Sequence, residues 1–248
     1  MQYKTLVILI KSKQRDGYCI AGRELYLGRR EGCLGGWFRL VSSDKFSQGA
    51  ILQNHLGPEL SLNVLDVVLV PVKTMQPELG QPDNLLIDEC DSWVIKGKIP
   101  DTIVSGFVES PDNLWWQAGV PNHIVPKGKD DEKYISQSLY LVKTEQLKFI
   151  LSHQFNRFKA KYERKIRVSF QYHGHEYRGL SLRDVKVRRM LSGQYPDAGS
   201  ADKVITLLKG DNYYLCVSLG TCFGVQKNHY KAVDTVFDFD GYLQANYG

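Results

Sequence analysis

The sequence lacks the features that mark several common classes of protein. Its longest apolar runs, residues 6–10 and 67–72, fall far short of the roughly 20 residues that a membrane-spanning helix needs. The apolar stretch near the N-terminus is also too short for a secretory signal. The 5 cysteines are an odd number without a CxxC pair, which argues against a disulfide framework or a zinc site. We therefore predict a cytoplasmic protein with no membrane partner.

Positive charge is concentrated in one part of an otherwise ordinary composition. With 43% hydrophobic and 24% charged residues, the chain is not wholly disordered. Residues 143–190 hold 13 Lys and Arg against 4 acidic residues, a net charge of +9, whereas the regions before and after each carry −2. Concentrated positive charge attracts polyanions, because neutralising phosphates releases counterions. This stretch is the predicted phosphate footprint; the alternative is a solvated face with no partner.

Strand-like runs separated by Gly and Pro turns predict a mainly β fold with a few helices. We expect two small lobes, over residues 1–125 and 126–248. The predicted strands comprise residues 3–10, 18–27, 35–42, 65–72, 134–142, 166–172, 176–182, 213–219 and 230–237. The predicted helices comprise residues 100–108, 144–160 and 184–191. The long helix is expected because apolar side chains recur at helical spacing at Leu147, Ile150, Leu151, Phe155 and Phe158.

Several sequence blocks carry a resemblance to a known family. They read, in order, KTLVILIKSKQRDGYCIAGREL, GGWFRLVS, QPDNLLID, SLYLVK and YYLCVSLGTCFG followed by HYKAV. These blocks span nearly the whole chain and resemble the dual OB-containing domain family of bacterial proteins. The resemblance implies two oligonucleotide/oligosaccharide-binding (OB) barrels, nucleic-acid or nucleotide binding, and a role in bacterial defence or conflict systems. The family more often has Glu where this chain has Asp83, an exchange between acids that should change little.

OB barrels bind single strands on a face lined by aromatic and cationic side chains. Alternation places Trp37 and Arg39 on one face of a strand, and Tyr172 lies on a later hairpin among cations. An alternative for Trp37 is a structural role, since large aromatic side chains in strands usually fill cores. The predicted nucleic-acid-binding residues are Trp37, Arg39, Arg157, Lys161, Arg164, Lys165, Arg167, Tyr172 and Arg178.

A second set of polar residues suggests a nucleotide pocket. Gln81, Asp83 and Asn84 precede an apolar strand, and amide or carboxylate side chains can read a base edge. The alternative is local turn chemistry, in which Asp and Asn bond their own backbone. A cluster of acids follows closely, but its members are nearly adjacent, so a solvated loop is favoured over a metal-dependent nuclease site. The cluster consists of Asp88, Glu89 and Asp91.

Two further arrangements contain residues capable of chemistry, and both are incomplete. His173 and His175 would supply a partial metal site at a hairpin tip, with only Glu176 nearby as a third ligand. Cys222 and His229 are close enough along the chain to form a nucleophile–base pair. Such proximity is common by chance, so we predict no catalytic residue, no metal and no cofactor.

The leading hypothesis is therefore a non-catalytic, cytoplasmic protein that binds single-stranded DNA or RNA through two β-barrel lobes. The alternative is a nucleotide-sensing or nucleotide-processing protein that uses residues 81–84. An adaptor whose basic face docks an acidic protein is a third reading, and the sequence identifies no protein partner.

Overall fold

The chain folds into two units in which strands dominate. One unit comprises Met1–Phe107 with Lys129–Leu139, and the other Val108–Gly128 with Tyr140–Gly248. Among the described residues, every helix falls short of the length and apolar character that a membrane crossing needs. The computed structural model describes residues 2–14, 17–26, 34–44, 49–57, 60–115, 119–126, 135–207, 213–222 and 228–248.

The first unit is a closed barrel of five strands. Its strands are β1 (Gln2–Gln14), β2 (Gly17–Leu25), β3 (Leu34–Val41), β4 (Asp66–Met75) and β5 (Asn84–Ile87). They are ordered β1-β2-β3-β5-β4, and β4 pairs back onto β1 to close the barrel. The β3–β5 pair is parallel and the other pairs are antiparallel.

Three shorter elements complete the first unit. Helix α1 (Gln53–Leu56) connects β3 to β4, and strand β6 (Val94–Lys98) pairs with β4 outside the barrel circuit. A 3-10 helix over Asp101–Phe107 lies where the sequence predicts a short helix.

The core of the first barrel follows from the alternation in its strands. Leu6 and Ile8 on β1 pack with apolar side chains from β2, β3 and β4, and both are completely buried. Gly22 on β2 is required at the closest approach of β1, because a Cβ there would lie 2.2 Å from the Val7 carbonyl oxygen. The pairing of β1 with β2 shifts register between Ile8 and Ile10, opposite this glycine. A bulge of this kind bends a strand around a small barrel.

The second unit repeats the same barrel. Its elements are β7 (Ile124–Val125), β8 (Leu139–Asn156), β9 (Lys161–Tyr172), β10 (His175–Leu182), α2 (Val185–Met190), a 3-10 helix (Leu191–Gln194), β11 (Lys203–Thr206), β12 (Tyr213–Leu219), β13 (His229–Asp238) and α3 (Tyr242–Tyr247). The barrel order is β10-β9-β8-β12-β13, and a parallel β10–β13 pair closes it. If the five strands of each barrel are numbered along the chain, their order around the barrel is first, second, third, fifth, fourth in both units. The predicted mainly β fold with two OB-like barrel lobes is confirmed.

The predicted helix over residues 144–160 is wrong, because most of this segment is strand β8. Leu147, Phe149 and Leu151 are completely buried, while the side chains between them are partly exposed, which is the period of a strand. The apolar positions satisfy a helical and an alternating pattern equally, and the long pairing with β9 decides between them.

Two local predictions in the second barrel are confirmed. The β9–β10 hairpin turns at His173 and Gly174, which both have positive φ, as a tight two-residue turn requires. The short helix α2 begins after Asp184, whose Oδ1 accepts a hydrogen bond from the Val187 amide at 3.0 Å. This is an N-cap bond, which satisfies a donor that the first helical turn leaves free.

Candidate nucleic-acid interface

The β8–β9 hairpin continues well past the buried part of the second barrel. Leu151 and Ile166 face each other and are the last buried pair in the ladder. Five more residue pairs follow, from Ser152 opposite Lys165 to Asn156 opposite Lys161, and all ten residues are partly or fully exposed. We call residues 152–165 the hairpin end.

The turn at the tip presents an aromatic ring to solvent. The Asn156 Oδ1 accepts hydrogen bonds from the amides of Phe158 and Lys159 at 3.0 and 3.2 Å, and Ala160 has a φ of 48°. An Asn side chain that bonds the backbone two residues on is a common way to build a tight turn. Phe158 emerges from this turn with a relative exposure of 102%.

One face of the hairpin end carries further aromatic side chains. Phe155 and Tyr162 are cross-strand partners with ring centroids 5.3 Å apart, edge to face, and both are about half exposed. The Tyr162 ring also contacts His153 at 5.7 Å. The sequence did not lead to Phe155, Phe158 or Tyr162 as binding residues, because the helix prediction placed both phenylalanines on an apolar helix face. The alternation at 147–151 and the turn-forming Asn156 were the signals that could have identified them.

Five cations and one acid share the hairpin end. Glu163 Oε1 lies 2.7 Å from Lys159 Nζ, and Glu163 Oε2 lies 3.7 Å from Lys165 Nζ. Hydrogen bonds from Lys159 and Asn156 lower the pKa of Glu163 to about 2, so this carboxylate stays ionised and cancels one positive charge. The net charge of residues 156–165 is therefore +4. The cations are Arg157, Lys159, Lys161, Arg164 and Lys165.

Two of the predicted cations lie elsewhere on the same barrel. Arg167 Nη1 donates to the Gly179 carbonyl at 3.2 Å and to Ser181 Oγ at 3.1 Å. Arg178 is exposed on β10 and pairs with Glu176. The structure thus brings Arg157, Lys161, Arg164 and Lys165 together on the hairpin end, and it places Arg167 and Arg178 on the wall formed by β9 and β10.

Three of the predicted contact residues are buried in the structure. Trp37, Arg39 and Tyr172 are each only 5% exposed. Arg39 Nη2 donates to Ser138 Oγ at 3.1 Å, and the Tyr172 hydroxyl donates to the Pro111 carbonyl at 2.7 Å. Side chains this well buried present no free ring or guanidinium face to a base, so the structural alternative stated for Trp37 fits its position.

The predicted nucleotide-pocket residues form a buried polar cluster. Gln81, Asp83 and Asn84 are all less than 10% exposed. Asp83 Oδ2 accepts hydrogen bonds from the Ser138 amide at 2.7 Å and from Ser138 Oγ at 2.6 Å. Burial raises the pKa of Asp83, while the Ser138 bonds and Arg39 act in the opposite direction. A ligand at this carboxylate would have to displace Ser138.

The other polar candidates have local partners. His173 Nε2 lies 3.2 Å from Ser110 Oγ, and Glu89 accepts hydrogen bonds from Ser42 and Ser43. Within the described ranges, no group of three or more His, Cys, Asp or Glu side chains is arranged to hold a metal ion. The structure does bring Cys222 and His229 together, with 3.1 Å between Sγ and Nε2.

Both barrels follow the same Greek-key order, and each has a short helix between its third and fourth strands. This arrangement defines a protein of the OB-fold class. The model of the dual OB-containing domain family matches residues 4–236, so the chain belongs to that family. Comparisons with curated proteins and with solved structures gave no match.

Proposed function

We propose that this protein binds single-stranded nucleic acid through the hairpin end of its second barrel. The observation that carries the proposal is the exposure of three aromatic rings, Phe155, Phe158 and Tyr162, among five cations on one projecting hairpin. A defence role, a bacterial origin and a cytoplasmic location stay predictions.

The charge of the hairpin end supports phosphate contacts. Arg157, Lys161 and Lys165 are all exposed, so they can reach a backbone without first giving up buried contacts. Each phosphate that such a cation neutralises releases counterions, and the affinity then depends on salt with a slope of about −0.7 per contact for single strands.

The aromatic rings favour an unpaired strand over a duplex. A ring stacks on the face of a base, and in a duplex both faces are already covered by neighbouring bases. Phe158 stands clear at the tip, and Phe155 with Tyr162 offers a second aromatic surface on the same hairpin. Stacking of this kind contributes about 1–3 kcal/mol per base.

The position of the hairpin within the fold supports the same conclusion. In OB barrels, the face of the second and third strands and the loop between the first and second strands are recurrent binding elements. The turn between β8 and β9 is that loop in the second barrel, and Lys165 and Arg167 continue the positive charge along the second strand.

The test is fluorescence anisotropy with labelled single-stranded DNA, single-stranded RNA and duplex DNA at about 50 and 200 mM salt. Wild type is compared with a triple variant, Arg157→Ala, Lys161→Ala and Lys165→Ala. The expected result is tighter binding to a single strand than to duplex. The triple variant should bind more weakly at both salt concentrations, and its salt slope should be shallower by about 2.

The matched control removes the same charge from the first unit. Lys73, Lys96 and Lys98 are exposed there, on β4 and β6, and their replacement by Ala should leave the affinity nearly unchanged. Equal losses in both triple variants would mean that only the net charge matters. Absence of binding by wild type at low salt would contradict the proposed function.

A further inference from the structure

A cysteine just after β12 is in direct contact with the histidine that begins β13. Cys222 Sγ lies 3.1 Å from His229 Nε2. His229 begins β13 and is completely buried, whereas Cys222 is partly exposed. The barrel therefore holds the buried His229 in place, while Cys222 remains partly accessible to solvent.

A backbone carbonyl orients the imidazole. His229 Nδ1 lies 2.8 Å from the Gly220 carbonyl oxygen, which can only accept a hydrogen bond. In neutral His229, Nδ1 therefore carries the proton and Nε2 presents its lone pair to Cys222. The carbonyl is itself held in place, since the Gly220 amide donates to the Tyr230 carbonyl at 2.9 Å.

These contacts form the arrangement that activates a nucleophile. A nucleophilic side chain touches a base, and a third group fixes the orientation of that base. Proton transfer from Sγ to Nε2 gives a thiolate beside an imidazolium ion that the Gly220 carbonyl stabilises. The thiolate is the reactive form of cysteine.

The other described cysteines have different surroundings. Cys19 and Cys216 are buried, and burial raises the pKa of the Cys216 thiol, which keeps it protonated. Cys90 is exposed on the first unit. It is more accessible than Cys222 and serves as an internal standard for an ordinary surface thiol.

We propose that Cys222 is a base-activated thiol and the site at which hydroperoxides oxidise this protein. The Cys222 proton passes to His229 Nε2, and the thiolate sulfur attacks one peroxide oxygen. The O–O bond breaks as the S–O bond forms, and the second oxygen leaves with the proton from Nε2 as water or an alcohol. Sulfur is oxidised by two electrons to the sulfenic acid, and the peroxide is reduced. This inference is independent of nucleic-acid binding.

The first test measures the reactivity of each thiol in the native full-length chain. Iodoacetamide labelling at pH 6.5 is followed by peptide mapping, which reports Cys222 and Cys90 separately. An ordinary thiol with a pKa of about 8.5 is about 1% thiolate at this pH. We expect Cys222 to react roughly fivefold faster than Cys90, because His229 can accept the Cys222 proton and so increase the fraction of reactive thiolate.

The second test uses hydrogen peroxide with a 1,3-diketone trap for sulfenic acid, again mapped by peptide. We expect trapped product at Cys222 and little at Cys90, and its loss in His229→Gln. Because His229 is buried, that variant is accepted only if its circular dichroism matches wild type. If the circular dichroism differs, the pH profile of Cys222 labelling in the wild-type protein is used instead. A midpoint for Cys222 at or above that of Cys90, or trapping that favours Cys90, would overturn the proposal.

Discussion

The two barrels share a strand order and differ in what their first hairpin does. In the first barrel, Tyr18 and Ile51 exchange two backbone hydrogen bonds of 2.9 Å just after the β1–β2 connection. A Cβ on Gly17 would lie 2.7 Å from the Ile51 carbonyl oxygen, so this strand packs tightly on its own barrel. In the second barrel, the equivalent hairpin extends through five exposed residue pairs beyond Leu151 and Ile166.

This difference shows that barrel topology does not determine where binding groups lie. Both barrels bury an apolar interior through the same pairings. Among the residues that the structure describes, the second barrel alone extends its first two strands into solvent with aromatic and cationic side chains. The binding capacity we propose therefore belongs to an extension of the fold, which the barrel core does not require.

The barrels also differ in how each buries a cation. In the first, Arg39 reaches Ser138, which Asp83 also bonds. In the second, Lys231 Nζ donates to the Trp115 carbonyl at 2.8 Å and lies 5.4 Å from the centre of the Tyr177 ring. Arginine cannot lose its proton, so a nearby carboxylate is needed to offset the cost of burying its charge. Lysine can instead become neutral when it is buried. Burial lowers the pKa of Lys231 to about 7.

The largest expected effect comes from removing the acid of the first barrel. Asp83→Ala takes the acceptor from the Ser138 amide and hydroxyl and leaves Arg39 buried without its carboxylate. We expect the free energy of unfolding to fall by about 3 kcal/mol, measured by urea denaturation. Asp197→Ala, at an exposed position, is the control and should change stability by less than about 0.5 kcal/mol. A loss of nucleic-acid affinity in folded Asp83→Ala would show that the first barrel also contributes to binding.

The buried lysine of the second barrel predicts a pH dependence. The folded pKa of Lys231 is about 7 and that of an unfolded lysine is about 10.4, so between these values the unfolded chain binds more protons. Wild-type stability should therefore rise with pH relative to Lys231→Met, by up to about 1.4 kcal/mol per pH unit between pH 7 and 10.

Urea denaturation of both proteins at several pH values measures their difference in unfolding free energy. The destabilisation that the lowered pKa of Lys231 causes is greatest below pH 7 and disappears above pH 10. Arg39→Met is the comparison from the first barrel. Its stability deficit should be independent of pH, because arginine keeps its charge throughout this range. If the unfolding free energies of Lys231→Met and wild type changed in parallel with pH, Lys231 would be charged in the folded state.

An intermediate effect is expected at the tip of the hairpin end. Phe158→Ala should weaken single-strand binding by about 1–3 kcal/mol, the contribution of one stacked base, and should leave duplex binding nearly unchanged. Its unfolding transition should match wild type, because the ring is fully exposed. Tyr26→Ala, which removes a half-exposed ring from the first unit, is the matched control. Equal losses on single strands and duplex would contradict a stacking role.

The smallest expected effect concerns the acid among the cations. Glu163→Gln removes the negative charge that pairs with Lys159 and Lys165. We expect tighter binding by less than about fivefold, together with a steeper salt dependence, both measured by anisotropy. Weaker binding would indicate that Glu163 positions these lysines for phosphate contacts.

The sequence predicted most strands because alternation and turn residues are local signals. It paired Trp37 with Arg39 on one strand face, and both side chains are buried together. It could not show that this face is covered, since the partner that makes burial of Arg39 acceptable is Ser138, about a hundred residues later. The two-lobe boundary near residue 125 stays a prediction.

The hairpin end was missed for a different reason. Apolar residues at 147, 150 and 151 fit a helix as well as a strand, and only the pairing with residues 161–172 distinguishes the two. The cationic stretch was visible because net charge does not depend on conformation. The rings that accompany it became visible only once the strand was known.

The five residue pairs from Ser152 opposite Lys165 to Asn156 opposite Lys161 also determine how far the tip of the hairpin end lies from the barrel. Strands rise about 3.4 Å per residue, so adding or removing two residues in each strand would move the tip by about 7 Å. Because the side-chain period is two, Phe155 and Tyr162 would keep their face in such a change, and a one-residue change would reverse it. None of these five pairs is a buried pair of the barrel, so the length of the hairpin end can change in evolution while the core stays constant.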